Sequence, residues 1–325
     1  MPALPPILRR NGSGAPGTLL SHSRRPPSLR ALATRPRFPW VAPTWPESME
    51  RPVERTLGVD YDTAWARRYG VRLLRAVLLD DVVRPGIQVL TRPRVGGLDR
   101  LQGVDPPVIL AANHQSHVDY PLVLVSLPPR LRYRTVVAAG ADYFFDRPWK
   151  AALSAAVIGA IPIERRRANR RSTELPASLL ADGWSVIIFP EGGRSPDGWA
   201  QPFHGGAAYL ATRLGVPVVP LHLEGTGRIH AKWRPGLHRG TTRVTFGAPI
   251  RAADGEDARR LAARIQAAIT VLADEAATDW WSARRRAADG ATPSLAGPEA
   301  SSWRRAWALG PDSRRGDDPP RWPLR

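Results

Sequence analysis

The middle of the chain alternates between short apolar runs and stretches with helical spacing. Uninterrupted aliphatic runs bounded by glycine or proline favour strands that are covered on both faces of a sheet. Four such runs are PVILAAN, RTVVAAG, WSVIIFP and VPVVPLHLEG, which begin at residues 107, 134, 184 and 216, and TTRVTFGAPI from residue 241 predicts a later strand.

Helical periodicity fills the intervals between these runs. The clearest cases are STELPASLLADG, GGAAYLATRLG and the long GEDARRLAARIQAAITVLADEAA, which begin at residues 172, 205 and 255. Alternation of strands and helices is typical of layered α/β proteins. We therefore predict an α/β fold with a mixed, largely parallel central sheet flanked by helices.

The two ends of the chain have a different composition. Residues 1–51 and 289–325 are rich in proline and arginine, and neither has a sustained apolar period. Such segments bury too little apolar surface to offset the entropy of ordering. We expect a disordered basic leader and a tail of the same kind, with the folded domain over residues 86–288.

Residues 52–85 form a separate amphipathic basic segment in this interpretation. Between Trp65 and Val83 the apolar residues recur at helical spacing, and arginines stand between them. The segment is either a helix packed on its own domain or a surface that rests on anionic lipid headgroups. The pattern is compatible with both.

Charge and cysteine content narrow the classes of partner and site. The chain has 47 Lys+Arg against 29 Asp+Glu, a formal charge of +18 that favours polyanionic partners. Cysteine is absent, which excludes disulfides and thiolate metal sites and fits a reducing compartment. No apolar run reaches the roughly eighteen residues of a membrane-spanning helix, so we expect a cytoplasmic protein.

The stretch NHQSHVD, from Asn113 to Asp119, concentrates polar residues directly after a predicted strand. His114, His117 and Asp119 are conceivable metal ligands, although their spacing does not suit a metallo-hydrolase. They could equally be structural. A third interpretation pairs His114 with Asp119, because a carboxylate that holds one imidazole nitrogen leaves the other free to accept a proton.

Three further blocks follow this stretch in a fixed order. They are GAIPIERR from Gly159, FPEGGRSPDG from Phe189 and VPVVPLHLEG from Val216. With these four blocks, the sequence over about residues 86–250 resembles the glycerolipid acyltransferase family, whose best-known members are 1-acylglycerol-3-phosphate acyltransferases. The resemblance implies a glycerol-3-phosphate acyltransferase-like fold and makes residues 86–288 the acyltransferase domain.

The resemblance also implies roles for single residues. His114 corresponds to the general base and Asp119 to its orienting partner. Pro220 lies in the block linked to the acyl donor, and His117 matches no family role. The residues that correspond to the binding of the acceptor phosphate are Arg165, Glu191, Gly192 and Arg194. Arginines suit a phosphate because guanidinium is permanently charged and binds in a bidentate way, whereas for Glu191 we expect an orienting role.

Two positions depart from the family pattern. His204 stands where the family commonly has a lysine, and Gly193 stands where threonine is frequent. The first change makes the charge at that position depend on pH and leaves the identity of the acceptor open.

The function implied is transfer of a fatty acyl group from acyl-CoA or acyl carrier protein to the free hydroxyl of 1-acylglycerol-3-phosphate, giving phosphatidic acid. We expect no metal and no bound cofactor, and peripheral association with the inner face of the membrane. One alternative is an acyltransferase for another lysolipid or an amino-acid-derived lipid. The other is a basic polyanion-binding protein, although we do not expect nucleic acid as the partner.

Overall fold

The structure, a computed structural model, describes residues 57–164, 170–230 and 236–296. The predicted leader, residues 297–325 of the predicted tail, and Arg165 lie outside these ranges.

Within the described ranges, seven strands form one sheet in the order β1-β7-β6-β2-β5-β3-β4. Neighbouring strands are parallel except for the antiparallel pair of β6 and β7. The strands are β1 (Pro93–Gly96), β2 (Ile109–Ala112), β3 (Thr135–Gly140), β4 (Ala160–Ile163), β5 (Ser185–Ile188), β6 (Val218–Glu224) and β7 (Thr242–Phe246). The predicted mixed, largely parallel sheet is confirmed.

Helices lie between the strands and before them. In chain order they are α1 (Tyr69–Val77), α2 (Arg84–Thr91), α3 (Asp119–Ser126), α4 (Pro129–Arg132), α5 (Ala141–Phe144), α6 (Pro148–Ile158), α7 (Arg170–Ala181), α8 (Gly206–Leu214), α9 (Thr226–Ile229), α10 (Ala258–Ala277) and α11 (Trp280–Ala288). Short 3-10 turns cover Gly58–Asp60, Ala64–Arg67 and Leu98–Leu101. The three helices predicted from periodicity correspond to α7, α8 and α10.

The inner strands of the sheet are buried on both faces, as the uninterrupted apolar runs predicted. Side chains of a strand alternate between faces, and β2 shows the division directly. Leu110 and Ala112 belong to the core layer that includes α3, whereas Ile109 and Ala111 belong to the layer that includes α8 and α10. All four residues are fully buried.

Two strands, β1 and β4, were not predicted. Both contain four residues and form the edges of the sheet. Pro93 begins β1 and Pro162 lies inside β4. Proline in a short segment argues against a strand when only the sequence is known. Proline is tolerated at an edge, because one side of an edge strand needs no ladder hydrogen bonds.

The helical segment extends further towards the C-terminus than predicted. It runs without interruption from Tyr69 to Thr91, with six π-helical residues, Leu78–Val83, between α1 and α2. It ends where Arg92 adopts a left-handed conformation with φ of 39°. The expected boundary at residue 86 therefore falls inside α2.

The start of the predicted tail is also partly ordered by contacts. The chain leaves α11 at Ala288, and the side chain of Leu295 then packs against the core layer of α8 and α10. The carbonyl oxygen of Leu295 accepts a hydrogen bond of 3.0 Å from the backbone N–H of Ala200. The composition of the tail does not predict that a single leucine packs against the core.

Candidate active site

The first predicted block lies at the carboxyl end of β2, where the chain turns into α3. The Nδ1 atom of His114 is 2.8 Å from an Oδ2 atom of Asp119, the first residue of α3. Ligands of open α/β sheets bind beyond the carboxyl ends of the strands. The pair is therefore placed where a substrate can reach it.

Asp119 is held rigidly in this turn. Its side chain is fully buried, and the same Oδ2 atom accepts hydrogen bonds from the backbone N–H groups of Gln115 at 2.7 Å and Ser116 at 2.8 Å. Three donors on one carboxylate oxygen determine where it points. All the residues of this hydrogen-bond network lie between His114 and Asp119, so the network forms within a single turn of the chain.

The imidazole of His114 is fixed by two contacts. A carboxylate oxygen only accepts hydrogen bonds, so Nδ1 donates to Asp119 and Nε2 carries the free lone pair. The ring also stacks on Phe189, with centroids 4.1 Å apart and planes inclined by 21°. Within the described ranges Nε2 has no hydrogen-bond partner, so it is free to take a proton.

Glu191 ties the first block to the third. One carboxylate oxygen accepts the backbone N–H of His114 at 2.7 Å, and the other accepts the backbone N–H of Gln201 at 2.8 Å. In addition, the N–H of Ser195 donates to the carbonyl of His114 at 2.7 Å. These contacts form because β2 and β5 are parallel neighbours, so the loops that follow them meet. Glu191 thus fixes the backbone of His114 relative to the third block.

A cleft of about 710 Å³, partly open to solvent, lies beside this pair. One part of its wall is polar and the other is formed by the end of β3 and nearby aromatic residues. The polar part consists of His114, His117, Gly192, Gly193 and Arg194, and the apolar part includes Val137, Ala138, Ala139, Tyr143, Phe144, Ile158, Ile163 and Phe189. Three predicted site residues, His114, Gly192 and Arg194, therefore line one cleft, and two more, Asp119 and Glu191, are hydrogen-bonded to His114.

Gly192 has a structural requirement for glycine. Its φ of 68° is left-handed, and a Cβ at this position would lie 3.1 Å from the Cδ2 atom of His204. His204, the residue in place of the family lysine, is attached here by its backbone N–H, which donates to the carbonyl of Pro190 at 2.8 Å. Its ring therefore lies behind the glycine loop.

Sequence reasoning assigned no role to His117, yet its ring forms part of the cleft wall. It stacks on Tyr143 at a centroid distance of 5.0 Å and on His230 at 6.0 Å. Burial, followed by the positive charge of Arg194, lowers the pKa of His117 from 6.5 to about 3. The imidazole is therefore neutral at physiological pH.

Other predicted residues are placed differently. Pro220 lies in the interior of β6, opposite Ala111 of β2, and is buried rather than exposed to the cleft. Arg165 is outside the described residues, although Ile163, two positions earlier, lines the cleft. In the described ranges no group of three or more His, Asp or Glu side chains is arranged to hold a metal ion.

The central part of the chain is similar to a known protein family. Residues 92–224 match a family model described as Acyltransferase. This range begins directly after α2, ends with β6 and contains the four blocks except for Gly225, the last residue of the fourth.

Curated relatives are named as acyltransferases. The chain is 35% identical over 159 residues to the chloroplastic 1-acyl-sn-glycerol-3-phosphate acyltransferase BAT2 of Brassica napus, covering 48% of this chain and 44% of that protein. It is 28% identical over 217 residues to the human 1-acyl-sn-glycerol-3-phosphate acyltransferase alpha, covering 64% and 72%. The chain thus spans less than half the length of the plant relative.

A solved structure supports the fold. The 1-acyl-sn-glycerophosphate acyltransferase PlsC of Thermotoga maritima superposes with a TM-score of 0.53 at 22% identity, over 67% of this chain and 86% of that chain. The expected glycerol-3-phosphate acyltransferase-like architecture is therefore confirmed. Residues 92–224 thus match the Acyltransferase family model, and the relatives that this part of the chain resembles are named as 1-acylglycerol-3-phosphate acyltransferases.

Proposed function

We propose that this protein transfers a fatty acyl group from an acyl thioester, acyl-CoA or acyl carrier protein, to the free hydroxyl of 1-acylglycerol-3-phosphate, forming phosphatidic acid. The observation that carries the proposal is the 2.8 Å contact between His114 and Asp119 beside a cleft that Arg194 also lines. The names of the curated relatives support the reaction and the acceptor.

In this mechanism His114 moves one proton. Its Nε2 atom takes the proton of the acceptor hydroxyl as the oxygen attacks the thioester carbonyl carbon. The imidazolium is stabilised by Asp119, whose Oδ2 atom already holds Nδ1. When the tetrahedral intermediate collapses, the carbon–sulfur bond breaks and the thiolate receives the proton from Nε2. No protein nucleophile is required.

The polar part of the cleft suits the acceptor phosphate. Arg194 lines this part of the cleft and supplies a permanent positive charge. Gly192 and Gly193 have no side chain to keep a ligand away from the backbone. A guanidinium beside an open loop provides charge and space for a phosphomonoester.

The apolar part of the cleft suits the acyl chain. It is formed by the last residues of β3 and by aromatic side chains of α5, close to His114. A hydrocarbon chain on this wall loses contact with water, which favours binding by about 0.8 kcal/mol for each CH₂ group buried. We propose that the donor's acyl chain lies here, with its carbonyl next to His114.

The proposed membrane contact uses α1 and α6. The side chains of Tyr69, Leu73, Leu74 and Val77 on α1, and of Trp149 and Leu153 on α6, are exposed, by 78% for Tyr69 and 63% for Trp149. The opposite side of α1 holds Arg75, which is buried. The apolar side of an amphipathic helix is thus turned outward, which favours the lipid-surface interpretation of this segment. We name this surface the α1–α6 face.

In the described ranges no helix is long and apolar enough to cross a membrane. We propose that the contact is peripheral, with exposed leucines entering the headgroup and acyl boundary while the basic chain is attracted by anionic lipid.

The reaction is tested by incubating the purified protein with a long-chain acyl-CoA and a panel of lysolipids, and following free thiol and lipid product. We expect phosphatidic acid from 1-acylglycerol-3-phosphate. Product from another lysolipid alone would show that the acceptor differs, as the histidine at position 204 allows. Thiol release without acyl-lipid would show a hydrolase.

We also propose that the reaction needs no metal ion and no bound cofactor, because the thioester provides the driving force and the histidine–aspartate pair moves the proton. Incubation with a chelator followed by dialysis should leave turnover unchanged. Loss of activity that returns with added divalent cation would contradict this and revive the interpretation of His114, His117 and Asp119 as ligands.

A further inference from the structure

We propose that a second anion site lies on this protein, in a groove between α1 and the start of β3, and that it binds the phosphomonoester headgroup of a bilayer lipid of the phosphatidic acid class. Tyr69, Arg72, Leu73, Arg75, Arg132 and Tyr133 line this arginine groove, whose volume is about 580 Å³. The site rests on the membrane contact proposed above and deepens it.

The arginine groove is separate from the catalytic cleft. Thr135, the first residue of β3, lines the groove, whereas the cleft uses Val137 to Gly140 and the loops beyond the carboxyl ends of the strands. Trp184, which directly precedes β5, also lies near the groove, under the guanidinium of Arg72. The groove is therefore at the amino end of the parallel strands, opposite His114.

Arg75 gives the groove a positive charge that no neighbouring carboxylate cancels. Its side chain is 93% buried, since 7% is exposed, and it donates to the carbonyl oxygens of Ala66, Ala155 and Ala156 at 2.6, 2.9 and 2.7 Å. In the described part of the chain it forms no salt bridge. Burial, together with the charges of Arg67 and Arg72, lowers its pKa to about 10, so it remains charged at neutral pH.

Arg72 supplies the donor that a ligand can use. Its guanidinium lies 5.2 Å from the ring centroid of Trp184, and its Nε atom is buried without a hydrogen-bond partner in the described ranges. A buried donor without a partner is unfavourable unless a ligand or water provides an acceptor. A guanidinium can bind two phosphate oxygens in a bidentate way.

The other arginine of the groove is already neutralised. The guanidinium of Arg132 contacts Asp80 at 2.6 Å, and the hydroxyl of Tyr133 donates to the same carboxylate. The excess charge therefore comes from Arg72 and Arg75. Two arginine charges near one groove match a phosphomonoester, which carries more negative charge and more free oxygens than the phosphodiester of other anionic lipids.

The surroundings of the groove favour a lipid over free phosphate. Tyr69 and Leu73 line it and are themselves exposed, and Leu74 and Val77 continue the α1–α6 face beside them. A headgroup seated against Arg72 would leave its acyl chains next to these side chains. The phosphate and the hydrocarbon of one molecule are thus both accommodated.

The test measures binding to phosphatidylcholine vesicles that contain either phosphatidic acid or phosphatidylglycerol at matched surface charge, for the wild type, Arg72→Gln and Arg84→Gln. Arg84 is exposed on α2 and does not line the groove, so it controls for the loss of one charge. All three proteins have the same catalytic cleft, so differences between them report the groove.

We expect the wild type and Arg84→Gln to prefer phosphatidic acid, and Arg72→Gln to bind phosphatidic acid vesicles about fivefold more weakly and to lose the preference. Arg72→Lys keeps the charge without the bidentate edge and should fall between them, which guards against a folding defect in the glutamine variant. Equal binding to both lipids by the wild type would overturn the site, as would equal losses in Arg72→Gln and Arg84→Gln.

Two further outcomes separate this site from the other proposals. Displacement from the vesicles by inorganic phosphate at constant ionic strength would show that free phosphate is the ligand and would overturn the lipid assignment. Absence of binding to any vesicle would overturn the membrane contact and with it this site. Neither binding measurement depends on catalytic turnover, so a failure of the proposed acyl transfer would be detected separately, in the activity assay.

Discussion

The turn after β2 and helix α1 hold their charged side chains in different ways. In the turn, Asp119 is bonded by residues at most five positions away, His114, Gln115 and Ser116. In α1, Arg75 is held by Ala155 and Ala156, some eighty positions away. A local constellation can be recognised in the sequence, whereas the orientation of a helix depends on which distant segment it meets.

The comparison also separates two uses of burial. In the turn, burial fixes the carboxylate of Asp119, and the Nε2 atom of His114 is left without a partner among the described residues. In α1, burial of the arginine side leaves leucines exposed to solvent. The first arrangement suits a reaction and the second suits an interface, and each can be disturbed without the other.

The largest effect is expected from His114→Ala. Removing the base should lower kcat by about a thousandfold, because general acid–base catalysis contributes on the order of 10² to 10⁴. Thiol release and lipid product should both be measured, with circular dichroism and thermal unfolding as controls for the fold. Turnover within a factor of a few of the wild type would remove His114 as the base.

A smaller effect is expected from Arg194→Ala. Loss of one charged hydrogen bond, about 1.5–3 kcal/mol, should weaken use of the phosphate-bearing acceptor by at least about tenfold. The same variant should be compared on a monoacylglycerol that lacks the phosphate, for which little change is expected. An equal loss with both acceptors would rule out a contact with the phosphate.

The α1–α6 face can be tested by Leu73→Ser. The side chain is about half exposed, so its transfer to the lipid boundary is worth about 1 kcal/mol and the variant should bind anionic vesicles about fivefold more weakly. Leu237→Ser is a matched control, because Leu237 is also exposed but lies on neither helix. Similar losses of vesicle binding in both variants would show that the α1–α6 face has no special role in membrane contact.

The smallest effect concerns stability and His117. Its folded pKa of about 3 is below the unfolded value of 6.5, so between these values the unfolded state binds more protons. This residue therefore lowers stability as pH falls from about 6.5 towards 3 and has no such effect above 6.5. In urea unfolding, His117→Gln should lose less stability between pH 7 and pH 5 than the wild type. Identical pH profiles would contradict the lowered pKa.

Most of the central sheet was accessible from the sequence, because strands covered on both faces are uninterrupted apolar runs. The edge strands β1 and β4 were missed, since an edge accepts proline and polar residues that the pattern treats as strand breakers. For the site, the order of the four blocks was sufficient to predict that His114, Glu191 and Arg194 belong to one site. The pattern predicted the buried strand that contains Pro220, but it did not predict that His117 would line the cleft.

The sequence by itself determined the alternating α/β pattern, the family resemblance and the His114–Asp119 pair, because each of these rests on residues close together in the chain or on the order of short segments. Only the tertiary structure decided which side of α1 faces the rest of the protein and which side faces solvent. Its leucines and arginines follow the same helical period whether they face inward or outward. The carbonyl groups at the end of α6, by accepting the guanidinium of Arg75, leave the apolar side of α1 exposed.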